Sequence, residues 1–405
     1  MRHPLLLIVA ILALACPAIA QFGSAGYGNP VLRVSETPPF TRADIRIMDS
    51  ILGLTPEQRE LTEALYSDFF ERYRAEATEV RLELADLVEE AAITQKQELL
   101  IDTGNTTVAA WNTRRDEFRA QFVEDLRLLM DQNQIQLWHK VVRELRRKDR
   151  IGDGRIAGES IDLIRLIDAR VEAWADNEPL VEELERYAER IDRAIVARTR
   201  ALDNEEAKNF WELQRENPET ALKLQAEALA LRERVLRINT DTLSRLGTLL
   251  SAEDIHQVRT AFYEQSVAGA IPDSPIAQRI EAARTLPTLT AEQRERMAPH
   301  LERYDSGSLD MKRTLFEALS QTQIDVVPQR LKAEIERQAA GEDFISDRSL
   351  TQPQPLLDDA MRKRLERERI AWNAIRAVLT PGQLAELPAV DMQTVWFPTV
   401  FWGGM

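Results

Sequence analysis

Cysteine is all but missing: 405 residues hold a single one, Cys16. That excludes a disulfide framework and any zinc site built on paired cysteines. Glycine (15) and proline (18) are too few for an all-β sandwich, which needs a turn every ten residues or so. Histidine is almost as rare. Beyond His3 there are only His139, His256 and His300, and none has a second His or Cys four residues on, where a helical metal pair would put it. Basic residues are outnumbered 52 to 67, a net charge of −15, which argues against nucleic acid as a partner. Glycine-rich phosphate loops, nucleophile elbows and Ser-His-Asp orderings are also lacking. The chain reads as non-enzymatic and without a cofactor.

Long apolar runs are confined to the start. Leu5 to Ala15 is continuous and apolar, and Ala18-Ile19-Ala20 fits the small-x-small site cut by signal peptidase. Residues 1–20 are therefore expected to be a signal peptide removed before Gln21, leaving a periplasmic or otherwise extracytoplasmic chain with no transmembrane span. Ala13-Leu14-Ala15-Cys16 also resembles a lipoprotein box, which makes Cys16 the candidate lipid anchor. Residues 21–45, rich in Gly and Pro, read as a flexible leading segment.

What is present is helical periodicity. Leu61, Leu65, Phe69, Val80, Leu84 and Leu87 fall on one predicted stripe, with Glu and Arg on the other faces. No apolar/polar alternation is long enough for a sheet. The fold class is all-α. Self-similarity organises it further. Phe70-Glu71-Arg72-Tyr73 returns as Leu184-Glu185-Arg186-Tyr187 after 114 residues and as Leu301-Glu302-Arg303-Tyr304 after a further 117. The expected architecture is an elongated array of three helical-hairpin modules with long antiparallel helices: 46–150, 159–268 and 276–390. Pro328 should kink or end a helix.

A second element recurs. Leu54-Thr55-Pro56-Glu57-Gln58, Leu289-Thr290-Ala291-Glu292-Gln293 and Leu379-Thr380-Pro381-Gly382-Gln383 share Leu-Thr-x-x-Gln. Its local physics is a capping box. The threonine accepts from exposed amides at a helix start, the glutamine three residues later reaches back to the cap amide, and the leucine can staple onto the first turn. Asp131 and Ser251 head looser versions, whereas Asp176-Asn177-Glu178-Pro179 stands where the second module lacks an opening box.

With these boxes in an exported, all-helical chain, the sequence resembles the LTxxQ-motif periplasmic family of Spy and CpxP, as three tandem degenerate copies. The resemblance implies an ATP-independent chaperone or envelope-stress role, dimerisation, and polypeptide clients held on a concave surface. The family's chaperones present a basic cradle, whereas this chain is acidic. A structural or assembly subunit of an envelope complex is the alternative, and metal-responsive sensing ranks last.

Three other features need an explanation. Asp149 to Ser160 has the outline of a calcium loop, but Ile151 and Ser160 stand where oxygen ligands are needed, which favours a plain linker. Arg146-Arg147-Lys148 suits the negative end of a helix dipole. Trp396, Phe397, Phe401 and Trp402 crowd the tail 391–405, either filling a groove or serving as a ligand for a partner.

Overall fold

The computed structural model describes residues 31, 34, 38–96, 100–207, 213, 217–268, 270–271, 273–340 and 354–389. Residues 1–20, expected as a signal peptide and including Cys16, the aromatic tail, and Phe210 and Trp211 lie outside the described residues. Among the described residues every regular element is a helix and none is a strand. Among these residues no helix is long and apolar enough to cross a membrane.

The chain divides into two compact units, Met1–Leu145 and Arg146–Met405. In the first, α1 (Arg42–Leu52), α2 (Pro56–Thr94), α3 (Asn105–Leu128) and the start of α4 (Gln132–Arg150) enclose one core. Helices α2 and α3 form an antiparallel hairpin, entered at the far end through a π-helical turn at Leu100–Gly104. With 39 residues, α2 is about 58 Å long at ~1.5 Å per residue. Its inner face carries an aromatic ladder. Phe69 stacks on Phe122 with centroids 4.6 Å apart, and Tyr73 meets Trp111 at 5.2 Å and Phe118 at 5.8 Å.

Two expectations need correcting here. The buried stripe of α2 runs through Thr62, Tyr66, Phe69, Tyr73, Ala77, Leu84 and Ala91, so its centre passes Thr62 and leaves Leu61 outside. Second, the leading segment is packed where it is described. Phe40 and Ile45 are buried, Phe40 lies 5.2 Å from Phe122, and Thr41 with Asp44 forms a capping box for α1.

The second unit holds two cores. The larger is built by α5 (Leu163–Asp168), the antiparallel pair α6 (Glu178–Ala207) and α7 (Pro218–Leu246), α8 (Ala252–Val267), and parts of α11 (Ser308–Ala339) and α12 (Pro355–Arg376). The smaller is built by α9 (Pro275–Arg284), α10 (Ala291–Ser306), the second half of α12, and α13 (Pro381–Glu386) with its flanking Leu379 and Leu387. Phe316 and Leu319 of α11 belong to the larger core. Helix α11 does not end at Pro328 but continues to Ala339.

Residues 151–162, expected as a linker with a faint calcium signature, are part of the larger core. Ile151, Ile156, Ala157, Glu159 and Ile161 are buried. The fully buried Glu159 accepts from Arg198 at 2.6 Å and from Arg232 at 3.4 Å, and takes the backbone amides of Arg155 at 2.8 Å and Ile156 at 3.1 Å. Arg198 also donates to the carbonyl of Arg150, and Arg232 to that of Asp153. Burial pushes the Arg232 guanidinium down, and Glu159 opposes that shift. A carboxylate so engaged by arginines cannot serve a calcium ion. Likewise Arg146 and Arg147 do more than face a helix dipole: they bind Asp192 and Asp162, each at 2.8 Å. Gly158 closes the segment at φ +81, where a Cβ would stand 2.7 Å from the Phe316 ring.

Candidate functional site

The Leu-Thr-x-x-Gln boxes do in the structure what their local chemistry predicts. Thr55, Thr290 and Thr380 accept from the amides of Gln58, Gln293 and Gln383 at 3.2, 3.1 and 3.3 Å, and each glutamine side chain takes the cap amide in return. Leu54, Leu289 and Leu379 are buried beside their caps. Asp131 and Gln134 complete another such box at the start of α4. Each cap contributes about 1 kcal/mol.

The boxes also make long-range contacts that their local chemistry does not dictate. The caps meet in pairs, that of α2 with that of α4 and that of α10 with that of α13. Gln58 and Gln134 exchange side-chain hydrogen bonds at 2.8 and 2.9 Å, and Gln58 also donates to the Leu129 carbonyl at 2.7 Å. Gln293 and Gln383 do the same at 2.8 and 3.0 Å, with Gln293 donating to Val378 at 3.0 Å and Gln383 to Thr288 at 2.9 Å. In both clasps the first glutamine takes the carbonyl two residues before the second cap.

A middle clasp is present without threonine or glutamine. Asn177 caps α6 by accepting from Leu180 at 3.3 Å, and its amide donates at 3.1 Å to Leu249, two residues before the cap Ser251. One shorter side chain makes both the cap and the cross-link. Asparagine followed by a proline at the second helical position is itself a helix-start signal, and it would have located this clasp.

The tyrosine signature is less uniform. Phe70, Leu184 and Leu301 lie on α2, α6 and α10, one turn before Tyr73, Tyr187 and Tyr304. The tyrosines follow their caps by 18, 10 and 14 residues, so they sit at different heights. Tyr73 is part of the aromatic ladder. Tyr187 donates to Asn239 at 3.0 Å and accepts from the Leu163 amide at 3.3 Å. Tyr304 lies beneath Arg367, and burial, with Glu368 adding to it, pushes its phenol up to about 12.

Apolar side chains remain in water around the first clasp. Leu61, one turn past Gln58, is 51% exposed; Leu128, beside Leu129, is 84% exposed; Ile135, next to Gln134, is 40% exposed. They flank the three residues whose hydrogen bonds close the hairpin. Further along α2, Leu82 and Ile93 are also exposed, three turns apart on one side. Among the described residues, no three acidic, histidine or cysteine side chains gather as metal ligands. Trp396, Phe397, Phe401 and Trp402, the expected partner-binding residues, lie outside the described residues.

No family model, curated protein or solved structure matches this chain.

Proposed function

We propose that this is an exported helical binding protein that captures partly folded polypeptides without nucleotide, in the manner of the LTxxQ-motif chaperones. The observation that carries this reading is the apolar trio Leu61, Leu128 and Ile135, held in water around the Gln58–Gln134 clasp. Side chains of this size gain roughly 1.5–3 kcal/mol each when fully buried, so three of them left exposed near the clasp offer apolar segments of other chains a favourable contact. The clasp ties the start of α2 to the start of α4, beside these residues. Release needs no fuel, because a few partly exposed contacts leave the net affinity modest.

The deciding experiment follows light scattering of a chemically denatured client diluted into buffer without ATP. The wild-type chain is expected to suppress aggregation near equimolar ratio, and Leu61→Ser/Leu128→Ser to lose most of that effect while melting normally. No suppression at tenfold excess removes the reading. The exposed pair Leu82 and Ile93 favours a second one, a scaffold that docks one fixed helix; co-purification of a single stoichiometric partner would support it.

A further inference from the structure

The antiparallel pair α6 and α7 carries a feature that the chain's composition does not lead one to expect. A cleft of about 490 Å³ between the two helices is lined by Arg190, Arg193, Arg234 and Arg237, with Asp241 as its only carboxylate. The facing register follows from contacts along the pair: Glu183 binds Arg245, Tyr187 binds Asn239, and Arg190 binds Asp241. Arg190 and Arg193 are three apart on α6, and Arg234 and Arg237 are three apart on α7, so each pair shares one helix face. Four guanidinium groups thus line one concavity in a protein whose net charge is −15.

The fold itself neutralises only half of them. Arg237 binds Glu233 on its own helix at 2.6 Å, and Arg190 reaches Asp241 at 3.7 Å. Arg193 and Arg234, both exposed, have no carboxylate partner among the described residues. Like charges lining one cleft repel, and nothing in the hairpin's packing requires arginine at those two exposed positions. A planar fork of donors that cannot be deprotonated suits tetrahedral oxyanions, which it can engage through two parallel hydrogen bonds.

The geometry points to this cleft as a binding site for a free multivalent phosphate oxyanion of the polyphosphate class, with Arg193 and Arg234 as the principal contacts and Arg190 and Arg237 flanking them. The volume lies within the range of small-ligand pockets. The overall negative charge, which disfavours long nucleic acids through repulsion from the rest of the surface, acts far less on a short anion held inside one basic cleft. The site is independent of the polypeptide-capture reading and stands or falls separately.

Isothermal titration of the full chain with inorganic tripolyphosphate, against orthophosphate at matched ionic strength, tests it. Tripolyphosphate is expected to bind at one site, more tightly than orthophosphate and more weakly as salt rises. Arg193→Ala/Arg234→Ala should reduce affinity at least tenfold with an unchanged helical spectrum and melting temperature. Arg193→Lys/Arg234→Lys should fall between the two, because charge remains but the fork is lost. Absence of binding, or equal affinity in the alanine variant, would overturn the assignment. So would association with anionic phospholipid vesicles in the absence of any tripolyphosphate binding.

Discussion

Gln293 and Gln383 stand 90 residues apart, and each side-chain amide donates to the other's carbonyl oxygen. Each also caps its own helix and takes a backbone carbonyl beside the other's cap. The pair thus closes two helix ends with one reciprocal contact. Gln293→Ala and Gln383→Ala should each lower the stability of the second unit by about 1–2 kcal/mol, because each leaves part-buried polar groups unmatched. A double-mutant cycle by urea unfolding should show the double variant losing about 0.5–1 kcal/mol less than the sum of the singles. Strict additivity would mean that the two amides act only as local caps.

The ion knot at Glu159 calls for a stronger response. Glu159→Ala leaves Arg198 and Arg232 buried without their carboxylate, and it should cost about 3–5 kcal/mol in urea unfolding. Replacing all three residues together, as Glu159→Leu/Arg198→Met/Arg232→Met, should recover much of that loss, since none of the three charges of the knot is then left buried without its partner. A triple variant as unstable as the single one would show that the network also fixes the shape of segment 151–162.

Gly158 and Gly152 give an internal contrast. Gly158→Ala must adopt a left-handed backbone and displace the Phe316 ring, together worth about 2–5 kcal/mol. Gly152→Ala meets open space at negative φ and should change stability by less than about 0.5 kcal/mol. Thermal melts of the two variants, run side by side, check the difference.

Stability at alkaline pH tests Tyr304. Burial raises its phenol from an ordinary value near 10 to about 12, so the neutral form is favoured in the folded state. Its contribution to stability is complete below the unfolded value and disappears as pH rises through the folded one, a window of about pH 10 to 12. Tyr304→Phe should flatten the fall in stability across that window and remove one late-ionising phenolate from the near-ultraviolet titration. An unchanged pH–stability slope in Tyr304→Phe would contradict this.

The helical content and the caps were legible because both are local. Thr55 and Gln58 are three residues apart, and their chemistry needs no knowledge of the rest of the chain. The pairing of Gln58 with Gln134 was not legible, since it depends on where α3 turns back. The role of Asn177 is not legible in a search for Thr-x-x-Gln, because one shorter side chain performs the same two tasks. Leu61 fits a stripe of apolar residues by spacing, but the helix faces Thr62 inward and Leu61 outward. Arg198 and Glu159, charged residues in stretches that read as ordinary solvated surface and linker, gave no sign of burial. Only their convergence from positions 39 residues apart satisfies them.

Helix α12 contributes Leu357, Ala360 and Met361 to the larger core of the second unit and Ala371, Trp372 and Ile375 to the smaller. During synthesis, neither core can be completed until residues 355–375 have left the ribosome. A truncated product ending before Pro355 would expose unfinished apolar surface on both and become a ready substrate for proteases. Loss of this one helix is thus expected to unsettle both cores of the second unit together.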